Sequence, residues 1–148
     1  MPVASAVEIG THIIGGFIAV IFAHVGGITA IGVPSDVVDI YDVSTGEWST
    51  ASLFAPRALA YAATVGGKAY FAGGATFNWG WTDYSNVIDV YDPATGEWKV
   101  DFMAEPKVVG SITGLGDYLI IAGGEREDGM TDLVEIYRHP TLIHVPGD

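Results

Sequence analysis

The chain repeats itself at an offset of fifty residues. Val37 to Trp48 reads Val-Val-Asp-Ile-Tyr-Asp-Val-Ser-Thr-Gly-Glu-Trp, and Val87 to Trp98 reads Val-Ile-Asp-Val-Tyr-Asp-Pro-Ala-Thr-Gly-Glu-Trp. Eight of the twelve positions are identical. The same offset carries Ala72-Gly73-Gly74 onto Ala122-Gly123-Gly124, and Pro56-Arg57 onto Pro106-Lys107. A period near fifty residues belongs to arrays of small units that bury their apolar faces against one another. The repeat therefore constrains the scaffold strongly, and the ligand not at all.

The middle copy, residues 55–104, shows the physical logic of the unit. Ala58 to Val65 is apolar and rich in small residues, and Gly66-Gly67 supplies the φ > 0 positions of a tight hairpin turn. Lys68 to Ala72 returns as a second strand that ends at Gly73-Gly74. A loop over 75–86 follows, and Asn86 to Tyr91 alternates in the manner of a third strand. In Asp92-Pro93-Ala94-Thr95-Gly96 the aspartate can bond nearby backbone, the proline presets φ and the glycine takes a left-handed position. That segment is a turn, and Trp98 opens a short fourth strand after it. Asp42, Gly46 and Trp48 repeat the turn in the preceding copy. Four antiparallel strands per copy, recurring along the chain, predict propeller blades.

The third copy, residues 105–148, keeps the order. Val108 to Leu115, Tyr118 to Ala122 and Leu133 to Tyr137 are its first three strands, with Gly116-Asp117 as the hairpin turn and Gly123-Gly124 as the glycine pair. Arg138 replaces the turn aspartate and no tryptophan follows, although Thr141 to Val145 suits a fourth strand. The first copy, residues 10–54, is the most degraded. Gly15-Gly16 stands at the turn, Phe17 to Val25 as one long second strand, and Gly26-Gly27 as the glycine pair, ahead of Tyr41.

A second strand closed by Gly-Gly, then Val-x-Val-Tyr-Asp, Thr-Gly-x-Trp and an x-Pro-Arg step, resembles the kelch repeat. The resemblance spans residues 12–145 and is strongest in the middle copy. It implies an all-β fold, a β-propeller in which each repeat is one blade. Tyr41, Tyr91, Tyr137, Trp48 and Trp98 recur with the copies, which assigns them to structural packing rather than recognition. Two enzyme classes use kelch propellers, galactose oxidase and sialic acid epimerases. The copper site of the former has no counterpart here, because its cross-linked cysteine is missing.

Composition sets further bounds. The chain has 148 residues, 49% of them hydrophobic, enough for one domain with a sizeable core. Its 20 glycines and 7 prolines then mark turns rather than disorder. A formal charge of −12, from 18 acidic and 6 basic residues, repels phosphate backbones and argues against nucleic acid as a partner. The absence of cysteine removes disulfides, thiolate nucleophiles and cysteine metal sites, and leaves the compartment open. Residues 9–35 hold no Asp, Glu, Lys or Arg and are long enough to span a bilayer. Six glycines interrupt that stretch and it lies in register with the other copies, so a blade is expected there rather than a membrane segment. Met1 to Glu8 has no basic residue, which makes a poor signal peptide.

Catalytic signatures are scarce. His12, His24, His139 and His144 do not pair at metal-ligand spacing. Counting back from Gly129 puts Gly124 and Arg126 where a calcium loop needs carboxylates, so the acidic 125–132 loop reads as solvated. Neither a P-loop nor a Gly-x-Ser-x-Gly elbow occurs. No catalytic residue, metal or cofactor is expected.

One segment stands apart. The loop over 75–86 carries Phe77, Asn78, Trp79, Trp81, Asp83 and Tyr84, rigid aromatic faces beside groups that hydrogen-bond. In kelch propellers the loop after the Gly-Gly pair helps build the ligand face, as do the segments around Arg57 and Lys107. The expected ligand site is thus Arg57, Phe77, Asn78, Trp79, Trp81 and Tyr84, with the acidic 125–132 loop alongside. A non-catalytic binding or assembly module contacting a protein partner is the first reading. A carbohydrate-binding or carbohydrate-active propeller is the second, and a fragment of a longer protein the third. Propellers close with four to eight blades, and about three are present. Either a homo-oligomer pairing first blade with third, or membership of a longer propeller, is therefore expected.

Overall fold

The computed structural model describes residues 33–42, 44–78 and 80–139 in full, together with the backbone of five strands at 6–8, 12–14, 17–19, 21–25 and 143–145. The chain is all-β and antiparallel. Among the described residues three four-stranded sheets follow one another along the sequence. The first contains β1 (Ala6–Glu8), β4 (Ile21–Val25), β5 (Val37–Asp42) and β6 (Glu47–Ser52), in the order β1-β4-β5-β6. β2 (His12–Ile14) and β3 (Phe17–Ala19) form a separate hairpin. The middle sheet has the order β7-β8-β11-β12, from β7 (Tyr61–Val65), β8 (Lys68–Ala72), β11 (Val87–Asp92) and β12 (Glu97–Phe102). The third runs β13-β14-β15-β16, from β13 (Val108–Leu115), β14 (Tyr118–Arg126), β15 (Gly129–Arg138) and β16 (Ile143–Val145). β9 (Ala75–Asn78) and β10 (Trp81–Tyr84) are a two-stranded hairpin inserted into the middle unit.

Several boundaries differ from expectation. Phe17 to Val25 is not one strand, because β3 pairs with β2 while β4 pairs with β1 and β5. The first unit reaches back beyond residue 10, since β1 is the edge strand beside β4. The first strand of the middle unit starts at Tyr61 rather than Ala58: Leu59 takes φ of 58° and Ala58 bridges to Ala75 instead. Both expected loops are strands. Residues 75–86 fold back as the β9–β10 hairpin, and 125–132 extend β14 and β15 around a turn at Glu127 and Asp128. Gly26 and Gly27 lie outside the described residues.

The turns follow the chemistry of their residues. Asp92 Oδ1 accepts the Ala94 N–H at 3.0 Å, and the Gly96 N–H bonds to the Asp92 carbonyl at 2.8 Å with Gly96 at φ 72°. Fifty residues earlier, Asp42 Oδ1 accepts the Ser44 N–H at 2.8 Å and Gly46 sits at φ 75°. The glycine pairs answer a different need, close approach of backbone. A Cβ on Gly73 would meet the Lys107 carbonyl oxygen, and one on Gly124 the Val108 carbonyl oxygen. Both contacts are with the segment that enters β13 of the third sheet.

Strand alternation sends successive side chains to opposite faces, and both faces of the middle sheet are used. Ala69, Phe71 and Tyr91 pack with Val38, Ile40 and Leu53 of the first unit, and Trp98 stacks on Phe71 at 5.9 Å. Ile88, Val90, Tyr70 and Ala72 pack with Val109, Leu119, Ile121 and Tyr137 of the third unit. Each large apolar side chain buried this way contributes roughly 1.5–3 kcal/mol. The two interfaces are the core of the molecule. Trp48 departs from the packing role expected of it: its ring lies 5.0 Å from that of Tyr41, yet it is 66% exposed.

Candidate functional site

A cleft of about 650 Å³ opens between the β9–β10 hairpin, the Glu105-Pro106 step and the β14–β15 turn. Trp81, Thr82, Asp83 and Tyr84 line one wall, and Glu105, Pro106, Arg126, Glu127 and Asp128 the other. β10 presents the first set because it pairs residue for residue with β9, Trp81 opposite Asn78 and Tyr84 opposite Ala75. Gly80, at φ 92°, makes the tight reversal between them possible. The second set projects because β14 and β15 continue past Gly124 as a hairpin that the sequence had presented as an acidic loop.

Hydrogen bonds fix much of this geometry. The Tyr84 hydroxyl donates to Glu125 Oε1 at 3.1 Å, tying the two hairpins together across the cleft. Partial loss of solvent, and then the Glu125 hydrogen bond and the Glu125 and Glu127 charges, raise the Tyr84 pKa above the usual tyrosine value. Arg126 Nη1 donates to Glu105 Oε1 at 2.8 Å, and Thr131 Oγ1 to Glu105 Oε2 at 3.2 Å. Arg126 Nε sits 2.7 Å from Asp128 Oδ1, but its N–H is not aimed at that oxygen, so the contact is electrostatic rather than a hydrogen bond. The carboxylates of Asp83 and Glu127 make no side-chain hydrogen bond or ion pair with another described residue. The lining thus carries four carboxylates and one guanidinium. Trp81 belongs to the same lining and is 77% exposed. Such a site attracts positive charge and offers an aromatic face on which a cation or a flat apolar group can rest.

The expected site residues divide. Trp81 and Tyr84 line the cleft. Phe77 and Asn78 are exposed on β9 and are not part of the lining. Trp79 lies outside the described residues. Arg57 is a correction: it is 1% exposed and cannot reach a ligand. Its Nε donates to the Gly73 carbonyl at 2.8 Å, and its Nη2 to the Phe71 carbonyl at 3.2 Å and to Asp89 Oδ2 at 2.6 Å. Lys107 is corrected likewise, since its Nζ donates to Glu135 Oε2 at 2.6 Å with both side chains fully buried.

These two pairs are one device used twice. The second oxygen of Asp89 accepts the Phe54 N–H at 2.8 Å, and that of Glu135 the Ala104 N–H at 2.6 Å. Each carboxylate grips the segment that leaves one sheet and enters the next, through a backbone amide and the basic residue three positions later. The long arginine meets the short aspartate and the shorter lysine meets the longer glutamate. Burial works hardest against ionisation of Glu135, but hydrogen bonds from Lys107, Tyr137 and the Ala104 N–H outweigh it and lower its pKa. The sequence signal was the x of Val-x-Val-Tyr, an acid at residues 39, 89 and 135 within an otherwise apolar strand.

Among the described residues no three His, Asp or Glu side chains group as metal ligands. His139 packs instead against the middle sheet, its Nδ1 2.7 Å from the Tyr70 hydroxyl. No helix among the described residues is long and apolar enough to cross a membrane, which leaves membrane-crossing strands untouched.

Neither known sequence families nor curated proteins match the chain. Its fold is nonetheless shared. The solved structure of YjhT superposes with a TM-score of 0.65 over 91% of this chain, at 17% identity. The chain spans about half the length of that structure, 49% of it. The likeness concerns the all-β fold alone.

Proposed function

We propose that the chain is a kelch-type β-propeller segment of three four-stranded blades, serving as a non-catalytic module that binds a basic segment of a partner protein. The exposed indole of Trp81, in one cleft lining with the carboxylates of Asp83, Glu105, Glu127 and Asp128, carries this reading. An arginine or lysine entering the cleft meets two carboxylates without bonds of their own, and a ring face for its alkyl stem or charge. The volume accommodates one such side chain with its flanking backbone, and the Tyr84–Glu125 bond holds the walls in place before the ligand arrives. The propeller assignment itself draws support from the fifty-residue repeat, from the two latched connections, and from the successive stacking of the sheets.

A glycan is the second reading, favoured by the same ring: a sugar face stacks on an exposed indole with Asp83 and Thr82 near its hydroxyls. Indole fluorescence separates the two. Titration with a hexa-arginine peptide and, separately, with a panel of neutral oligosaccharides should give a saturable change with the peptide only. A change with an oligosaccharide alone moves the assignment to carbohydrate.

A further inference from the structure

Among the described residues β10 has one edge without a partner. It pairs with β9 alone, and the two make a separate two-stranded sheet. Hydrogen bonds at the base of this hairpin fix which backbone groups turn outward. Tyr84 stands opposite Ala75. Ala75 directs its N–H and its carbonyl away from β10, to Ala58, at 2.8 and 2.9 Å. Opposed residues of an antiparallel pair either exchange both bonds or turn both outward, so Tyr84 turns its N–H and carbonyl outward too. The next residue, Ser85, faces back and donates its N–H to the Gly74 carbonyl at 2.9 Å. Alternation then gives Thr82 the outward direction of Tyr84, and gives Trp81 and Asp83 the inward one. Among the described residues the outward groups of Thr82 and Tyr84 have no backbone partner.

The cleft runs along this edge. Side chains alternate between the faces of a strand, Trp81 and Asp83 on one and Thr82 and Tyr84 on the other. All four line one cleft, as consecutive residues do along a strand's edge rather than over a single face. Bare edges are commonly protected by lysine or proline. β10 reads Trp-Thr-Asp-Tyr and has neither. Its protection is negative charge: Asp83, with Glu105, Glu127 and Asp128 in the other wall, repels a second copy of this edge and admits a basic strand.

We propose that an extended basic segment of a partner protein occupies the cleft by adding an antiparallel strand to β10. The proposal rests on the basic-ligand reading above and supplies its backbone geometry. Residues of the segment opposite Thr82 and Tyr84 exchange N–H to carbonyl bonds with them. The residues between these fall opposite Trp81 and Asp83, and their side chains share the face of the indole and the carboxylate. Bases are therefore selected at every second position, as in Arg-x-Arg, while the x residues carry the backbone bonds.

Three peptides of alternating arginine and alanine test this by isothermal titration into the full chain: one unmethylated, one N-methylated at every alanine and one at every arginine. All three carry the same charge. Methylation at alanine blocks the amides directed at β10 and should weaken binding about tenfold or more. Methylation at arginine, whose amides point away from β10, should leave the affinity within about threefold. Thr82→Pro removes an outward N–H from the protein and no charge, and should weaken the unmethylated peptide as alanine methylation does. Equal affinities of the two methylated peptides would overturn strand addition and leave the basic-ligand reading standing. Binding of the unmethylated peptide that Trp81→Ala does not weaken would overturn both. A dimer of the peptide-free chain that Thr82→Pro dissociates would also overturn the proposal, because it would put a second copy on this edge.

Discussion

Arg57 Nη2 lies 2.6 Å from Asp89 Oδ2, with the two side chains 1% and 2% exposed. The pair joins the step between the first and middle sheets to the centre of the middle sheet. A buried pair adds little net stability compared with an apolar replacement, but breaking one side leaves an uncompensated charge. Arg57→Met should therefore destabilise the chain by about 3–5 kcal/mol, and Lys107→Met by a similar amount. The double variant Arg57→Met/Asp89→Leu should recover part of that loss. Urea unfolding of the three variants measures it, and equal losses in the single and double arginine variants would contradict the assignment.

The turn glycines give a second expectation. Gly96 and Gly46 sit at φ 72° and 75°, where a β-branched residue is strained. Gly96→Val should cost about 1 kcal/mol or more, and Gly46→Val should respond alike. Gly96→Asn should be milder, since asparagine tolerates this conformation. Denaturant midpoints that do not move with valine would refute the turn geometry.

Stability should fall on the acid side in two stages. Burial, followed by repulsion from Lys68, pushes the His139 pKa below 6.5 in the folded protein. The unfolded chain then binds the proton first, so the stability held above that value is lost as pH falls through the depressed folded pKa. The Glu135 pKa lies below 4.5, despite burial, because Lys107, Tyr137 and the Ala104 N–H hold its charged form. Its contribution is present above 4.5 and is lost at lower pH still. Melting temperatures across pH 3 to 8 should show both limbs, with His139→Gln removing the upper one.

The sheets were legible because period-2 alternation and turn chemistry are local, and the fifty-residue repeat doubled the signal. The site was legible only in part. Trp81 and Tyr84 were visible as an aromatic cluster, but an isolated loop could not be told from the β9–β10 hairpin, whose pairing of Trp81 with Asn78 depends on Gly80 reversing the chain. Arg57 and Lys107 matched at the fifty-residue offset, while their partners Asp89 and Glu135 do not, because the third copy is shorter between its second and third strands. The acid changes identity as well. Chemistry that was conspicuous on one partner thus looked like a ligand contact until the other appeared beside it.

The cleft itself makes the most exposed claim. Trp81 is 77% exposed and contributes nothing to the two packed interfaces, so Trp81→Ala should leave the melting temperature within about 2 °C of the parent. A larger fall would show that the ring is needed for folding.

Isothermal titration of hexa-arginine into the parent chain, Trp81→Ala and Glu127→Gln tests the account most directly. It predicts one peptide per chain, an affinity that weakens with salt, and a loss of at least tenfold in Trp81→Ala, a variant that keeps every charge. Binding that Trp81→Ala leaves intact would reduce the interaction to the net charge of −12 and would contradict a built site in this cleft.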